Sequence, residues 1–174
     1  MSEGKAKGKL AVYWAASCGG CDISTLGIDA KILDVGCGKA FLLYEFTQVL
    51  PNAEVAGLDI SQYGLDHAKE EVRPHLKHGT ATKLPWPDNS FDLVYSLNAL
   101  HNLPNYDLWL AIQEMERVGR NAKYITVESY RNEREKVNLL YWQLTCRAFL
   151  STREWEWLFE QAGYTGDHAF IFFE

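Results

Sequence analysis

Ile32-Leu33-Asp34-Val35-Gly36-Cys37-Gly38-Lys39-Ala40 is the stretch that decides the fold. A short apolar run carrying one carboxylate ends at a pair of glycines. From Ala40 to Leu50 the apolar residues Leu42, Leu43, Phe46, Val49 and Leu50 recur at helical spacing, and Pro51-Asn52 stops them. The pattern predicts a strand buried on both faces, a tight turn and a helix. Gly36 and Gly38 allow the sharp turn and let a ligand approach main-chain N–H groups with no Cβ in the way. Further on, Val55 to Leu58 is a second buried run closed by Asp59, about twenty residues after the glycines, where a carboxylate can accept both hydroxyls of a ribose. Either feature alone also fits a bare turn or a helix cap; together they point to a nucleoside. A dinucleotide fingerprint wants a third small residue three places after the second glycine, and Phe41 stands there.

The alternation continues. Gly64 to Val72 is a candidate helix, His75 to His78 a short strand, and Phe91 to Ser96 a buried strand announced by Pro87-Asp88-Asn89. Tyr106 to Val118 reads as a helix, Tyr124 to Ser129 as a strand, and Arg131 to Phe149 as a long helix. Ser151 and Glu154 have the spacing of a capping box, and Gly163 stands where the helix after them needs a left-handed residue. His168 to Phe172 supplies a last, aromatic strand. The fold class expected is α/β, a Rossmann-like doubly wound, mostly parallel sheet with helices on both faces, over residues 31–174. Residues 1–30 form an N-terminal extension.

Composition sets bounds on partners. The chain has 174 residues, a hydrophobic fraction of 47% and a net charge of −6. That is enough chain for one real core, and the acidic balance argues against nucleic acid or an anionic membrane surface. Lys5, Lys7 and Lys9 before the apolar Leu10 to Ala16 faintly suggest a signal peptide, but Tyr13 and Trp14 speak against export. No run is long enough to span a bilayer. A cytoplasmic enzyme with a small-molecule acceptor is expected; oligomeric state is not written in the pattern.

Ile32 to Gly38 resembles motif I of the class I S-adenosylmethionine-dependent methyltransferases. Leu84-Pro85-Trp86-Pro87-Asp88-Asn89-Ser90-Phe91-Asp92-Leu93-Val94 resembles the motif leading into the family's fourth strand, and Asn98-Ala99-Leu100-His101 its continuation. The resemblance runs from Ile32 to Glu174, and it implies S-adenosylmethionine as cofactor. Asp34 and the backbone of the loop Gly36, Cys37 and Gly38 would hold its amino acid part; Asp59 would grip the ribose and Ile60 pack on the adenine. Ser96 lies where a main-chain carbonyl faces the methionine amine. Thr80-Ala81 matches the place of an acidic residue followed by a backbone contact to adenine, and here the chain departs from the family, with a hydroxyl for a carboxylate. Ala40 replaces the third glycine of motif I. The family's sheet also ends with two strands after the last helix, against one in this sequence, so the C-terminal strands look incomplete.

Methyl transfer is an in-line displacement that needs a positioned acceptor and, for a hydroxyl, a base. His101 is the first candidate base, by its place after the fourth strand and its ordinary pKa of about 6.5; it reads equally as a packing residue at a helix start. Glu128, near the end of the fifth strand, is the second. Tyr141, Trp142, Cys146, Arg147 and Phe149 lie where the family builds its acceptor pocket, although aromatics at helical spacing also simply pack. Trp155, Trp157 and Phe159 read as core or nearby surface. A sugar or another hydroxyl-bearing metabolite is the expected acceptor class.

The start of the chain is different. Leu10 to Asp22, with Cys18-Gly19-Gly20-Cys21, resembles the beginning of the small subunit of nickel-iron hydrogenases, where such cysteines help to hold an iron–sulfur cluster. A four-iron cluster takes four thiolates, and the others here, Cys37 and Cys146, are far off in sequence. No metal is therefore expected, and an inert segment is the leading reading, with Val12 to Ala15 a candidate strand at a sheet edge. Two other classes stay open: a non-catalytic cofactor-binding module, and a redox protein built on Cys18 and Cys21.

Overall fold

A computed structural model describes residues 26–174. The described strands are β1 (Lys31–Val35), β2 (Glu54–Asp59), β3 (Leu76–His78), β4 (Phe91–Leu97), β5 (Gly119–Glu128) and β6 (Asp167–Ile171). They form one sheet in the order β3-β2-β1-β4-β5-β6, and every neighbouring pair is parallel. The helices are α1 (Phe41–Val49), α2 (Gln62–Asp66), α3 (Asn105–Val118), α4 (Glu133–Trp142) and α5 (Thr152–Ala162). This is the doubly wound α/β architecture that the sequence predicts.

Side chains of a strand alternate between faces, and here both faces are covered. Leu33, Val35, Val94 and Val127 pack with Leu108, Ile112 and Met115 of α3 and Trp155 and Phe159 of α5. Ile32, Leu93, Tyr95 and Tyr124 point the other way, to Leu43 and Phe46 of α1 and to Ala68 and Val72. Full burial of one such side chain contributes about 1.5–3 kcal/mol. The order of strand addition reverses between β1 and β4: from β1 the sheet grows one way to β2 and β3, from β4 the other way to β5 and β6. Ligands of open parallel sheets bind in the crevice beyond the strand ends at such a switch point.

Three boundaries differ from expectation. α2 starts at Gln62 and stops at Asp66, because after Gly64 the backbone bonds tighten to three-residue turns and Pro74 follows in a 3₁₀ turn. Ala68 and Val72 are nevertheless buried, so the apolar spacing was real and the helix was not. α4 ends at Trp142 instead of running to Phe149. The amides of Arg147 and Ala148 donate to the carbonyl of His101, at 2.9 and 3.0 Å, rather than back along a helix. β5 begins at Gly119, earlier than the apolar signal, since the side chains of Arg120 and Asn121 at its start are exposed. At the other end, Ser151 and Glu154 do make the capping box, and Gly163 is left-handed with φ 73°. β6 pairs with β5 directly. Val12 to Ala15, Cys18 and Cys21 lie outside the described residues.

Candidate functional site

The bend after β1 is held from below by β2. The amides of Gly36 and Cys37 both donate to the carbonyl of Leu58, at 2.8 and 3.1 Å, and Gly38 N–H donates to Asp59 Oδ2 at 2.7 Å. The N–H groups of Gly36 and Gly38, expected to face a ligand, are thus engaged inside the protein. What the bend offers outward is room. A Cβ on Gly38 would meet nothing within 4 Å, whereas one on Gly36 would sit 2.2 Å from the Cβ of Ala99. Both glycines have positive φ, 52° and 81°, so the first is a door and the second a close contact between the bend and the chain leaving β4.

Asp59 faces this bend. Its second oxygen accepts from Ser61 N–H at 2.7 Å, and a carboxylate retains further lone pairs for a ligand hydroxyl. Ile60, next to it, is 72% exposed, an apolar side chain left in solvent beside a polar turn. Thr80 turns its hydroxyl onto Thr82, 2.9 Å away, and Ala81 packs at the margin of the core. Cys37 points down: its Sγ would lie 2.9 Å from a Cβ on Gly57. Its thiol is pushed far up by burial and then by Asp34 and Asp59, so it is no nucleophile.

Asp34 is buried in β1, and its pKa rises to about 7, first through desolvation and further through the charge of Asp59, against a lowering hydrogen bond from Tyr95. Two carboxylates at one bend make an anionic site. A cation placed there would reverse the rise.

The second half of the site lies beyond β4 and β5. Ser96, buried on β4, has a side-chain oxygen with no partner among the described residues. His101, in a 3₁₀ turn after β4, is 1% exposed, and burial lowers its pKa to about 4. Its Nε2 is 3.6 Å from Oε2 of Glu128, beyond a direct hydrogen bond. Burial pushes the Glu128 carboxyl up, against a lowering hydrogen bond from Gln143. The two candidate bases, 27 positions apart in sequence, are therefore brought together as one buried pair. His101 Nδ1, Asn102 Oδ1 and Glu128 Oε2 also lack partners among the described residues.

Beyond this pair, Tyr141 and Trp142 at the end of α4 are 85% and 70% exposed, so they do not pack the helix onto the sheet. With Phe172 and Phe173 they line a groove of about 590 Å³ on the rim where the strands end. Trp155 and Phe159 are core, and Trp157 is surface. Sequence reasoning missed Gly64, whose Cβ would press on Gly38 at 3.1 Å; it also missed Ala99 and Gln143. Among the described residues no group of three His, Cys, Asp or Glu could hold a metal, and no helix is long and apolar enough to cross a membrane.

The switch-point crevice, the glycine bend and the carboxylate at the end of β2 define a Rossmann-like α/β enzyme fold. The methyltransferase domain model matches residues 32–122, which hold β1 through the start of β5. The chain belongs to the methyltransferase domain family, with the fold of the class I S-adenosylmethionine-dependent members. It is 32% identical over 167 residues to a demethylmenaquinone methyltransferase of Staphylococcus haemolyticus, covering 79% of this chain and 69% of that protein. A demethylmenaquinone methyltransferase of Bacillus cytotoxicus is 34% identical over 149 residues, covering 76% of this chain and 62% of its own length. The chain thus spans about two thirds of these relatives. The crystal structure of YcgJ from Bacillus subtilis superposes with a TM-score of 0.69 at 21% identity, over 90% of this chain and 68% of that one, a likeness of fold.

Proposed function

We propose that the chain binds S-adenosylmethionine at the glycine bend and transfers its methyl group to a small, electron-rich aromatic acceptor. The observation that carries this reading is the pair of carboxylates, Asp34 and Asp59, at an open glycine bend on the switch point. The residues present fit such a cofactor: Asp59 for the ribose, the exposed Ile60 for the adenine face, the space at Gly38 for the chain between them, and Asp34 for the amino acid end. Cys37 would contribute backbone only, Ser96 its strand-end carbonyl, and Thr80-Ala81 the far side of the adenine. When bound, the cofactor supplies a methyl group on a sulfonium, which leaves as a cation equivalent while its bonding electrons stay on sulfur.

The acceptor must then provide an electron pair and lose a proton. His101 would take the proton: burial keeps it neutral beforehand but weakens it as a base, and the charge of Glu128 beside it would stabilise the imidazolium that forms. The aromatic groove of Tyr141, Trp142, Phe172 and Phe173 favours a ring over the sugar expected from sequence. A quinone ring is electron-poor, so an acceptor of the kind the relatives' name suggests would have to arrive reduced, as the hydroquinol, whose phenolic proton is the one to remove. Localisation in the cytoplasm accords with such a cofactor.

Calorimetric titration with S-adenosylmethionine, with NADH as control, is the test. Because burial raises Asp34 to about 7, a bound cation should expel part of its proton near that pH, visible as a dependence of the enthalpy on buffer. Release of S-adenosylhomocysteine with reduced demethylmenaquinone, against catechols and sugars, tests the acceptor. Equal affinity for NADH, or cofactor binding with turnover on none of these, overturns the reading.

A further inference from the structure

Gln143 makes a contact that neither the family motifs nor the cofactor site explains. It is the first residue past α4, and its side-chain N–H donates to Oε1 of Glu128. The other oxygen of that carboxylate, Oε2, lies 3.6 Å from His101 Nε2 and has no hydrogen-bond partner among the described residues. Nδ1 of the same imidazole is buried and equally without partner. The segment that delivers Gln143 also grips His101: the amides of Arg147 and Ala148 donate to its carbonyl. Both members of the pair are thus held by residues 143–148, directly after the aromatic end of α4.

An unpartnered buried polar atom costs stability, and a cluster of them in one place marks something the fold keeps available. A carboxylate is fixed in orientation when one oxygen is bonded, because the second then has one direction left. We propose that Gln143 is a positioning residue for the acceptor's base: by holding Glu128 Oε1 it turns Oε2 to His101 Nε2, which keeps the imidazole proton on Nε2 and leaves the Nδ1 lone pair to accept the proton of the acceptor. At 3.6 Å the carboxylate oxygen already favours a proton on Nε2 by its charge, and the contact shortens to a hydrogen bond when an acceptor is seated. The groups that face Glu128 are His101 from the turn after β4 and Cys146 from the segment after α4, whose thiol is held neutral, up to about 11, by burial and by Glu128. Trp155 of α5 bonds only the Glu128 carbonyl, through its indole N–H at 3.1 Å. Nothing among these replaces the Gln143 donor.

This rests on His101 as the base, yet it can be read on the full chain without acceptor. Nitrogen-15 NMR of the histidine rings above about pH 6 should find His101 in the Nε2–H tautomer in the unaltered protein. Gln143→Met keeps the length and removes the donor. In that variant the Nε2–H preference should weaken towards that of an ordinary neutral imidazole, and the carbon-13 titration midpoint of the Glu128 carboxyl should move up. S-adenosylmethionine affinity should be unchanged, and turnover with reduced demethylmenaquinone should fall by roughly tenfold, part of the about 10²–10⁴ that a base itself contributes. An Nδ1–H tautomer in the unaltered chain overturns the proposal even if the variant does not fold. So does a folded variant with tautomer and Glu128 midpoint unmoved, whatever its turnover. Absence of turnover in every form, with the tautomer behaving as stated, would instead count against the methyl-transfer reading and leave Gln143's role intact.

Discussion

The two halves of the site are built on opposite principles. On the proposed cofactor side, the bend after β1 is contiguous in sequence and its polar groups are paired: three successive amides go to Leu58 and Asp59. On the proposed acceptor side, residues 101, 128 and 143 come from three separate places, and polar atoms stand buried without hydrogen-bond partners among the described residues. The first half is a finished surface with space left in front of it. The second is held in readiness, its hydrogen-bonding capacity unused. On the proposed reading, a half that seats one invariant nucleoside can be rigid, whereas a half that meets a reacting atom has to leave donors and acceptors open for it.

If the halves are separable, removing the base should leave the other half alone. His101→Gln should lower S-adenosylhomocysteine release by about 10²–10⁴ and leave S-adenosylmethionine affinity within about twofold, measured by calorimetry. Loss of cofactor affinity in that variant breaks the division. Gly36→Ala should do the opposite and damage both halves, since its new Cβ would sit 2.2 Å from Ala99, on the path to His101. Overpacking and a left-handed alanine together should cost about 2–5 kcal/mol, read as a fall in thermal midpoint together with lost cofactor binding.

Asp59→Ala acts on the cofactor side only. It removes the acceptor of both Gly38 N–H and Ser61 N–H. Bonds to a charged group are each worth about 1.5–3 kcal/mol, so affinity for S-adenosylmethionine should fall by about 10–100-fold, while the titration of His101 stays where it was. A shifted His101 midpoint would show the halves to be coupled.

How much of this was legible follows the same division. Asp34, Gly36, Gly38 and Asp59 could be read because a strand, a turn and a strand end are local events with local signatures. The helix ends show the limit. Ser151, Glu154 and Gly163 declared theirs, because capping is decided within a few residues. The end of α4 did not: nothing between Arg131 and Phe149 announces that Gln143 will leave the helix for Glu128, or that His101's carbonyl will take two of the later amides. His101 and Glu128 were each visible as candidates, but their pairing depends on two neighbouring parallel strands ending at one level. Gly64 was invisible as a site residue because its neighbour, Gly38, belongs to another element.

The halves should also answer pH with opposite sign. Asp34's value of about 7 in the fold lies above the ordinary 3.8, so the folded chain keeps a proton that the unfolded chain releases. Its effect is nil below about pH 4, and stability falls as pH rises towards about 7 and stays lower above it. His101, lowered from 6.5 to about 4, is costless at high pH and destabilises as pH falls through that interval. Asp34→Asn should therefore raise the thermal midpoint by several degrees near pH 8 and by less near about pH 5, at about 2–4 °C per kcal/mol. The gain of His101→Gln, relative to the unaltered chain, should instead be larger near about pH 5. A gain from Asp34→Asn that does not grow with pH would mean that the buried carboxyl is already relieved by a neighbour.

The smallest effect expected is at Ala40, and it asks whether the cofactor half is as finished as it looks. Ala40 caps α1 with φ 53°, a left-handed alanine at the place where motif I carries glycine. Relief of that strain in Ala40→Gly should be worth about 1–2 kcal/mol. Against it stand the loss of a buried methyl, about 0.8 kcal/mol, and the larger entropy of a glycine in the unfolded chain, about 0.5–1 kcal/mol. These nearly cancel, so the thermal midpoint should move by no more than about 2–4 °C. Because Ala40 N–H already bonds the carbonyl of Cys37 at 2.7 Å, the bend is pinned without help from the side chain, and cofactor affinity should stay within about twofold. An affinity that rises tenfold in Ala40→Gly would show that the alanine holds the bend short of its binding shape, which would make this half, too, one that completes itself only around its ligand.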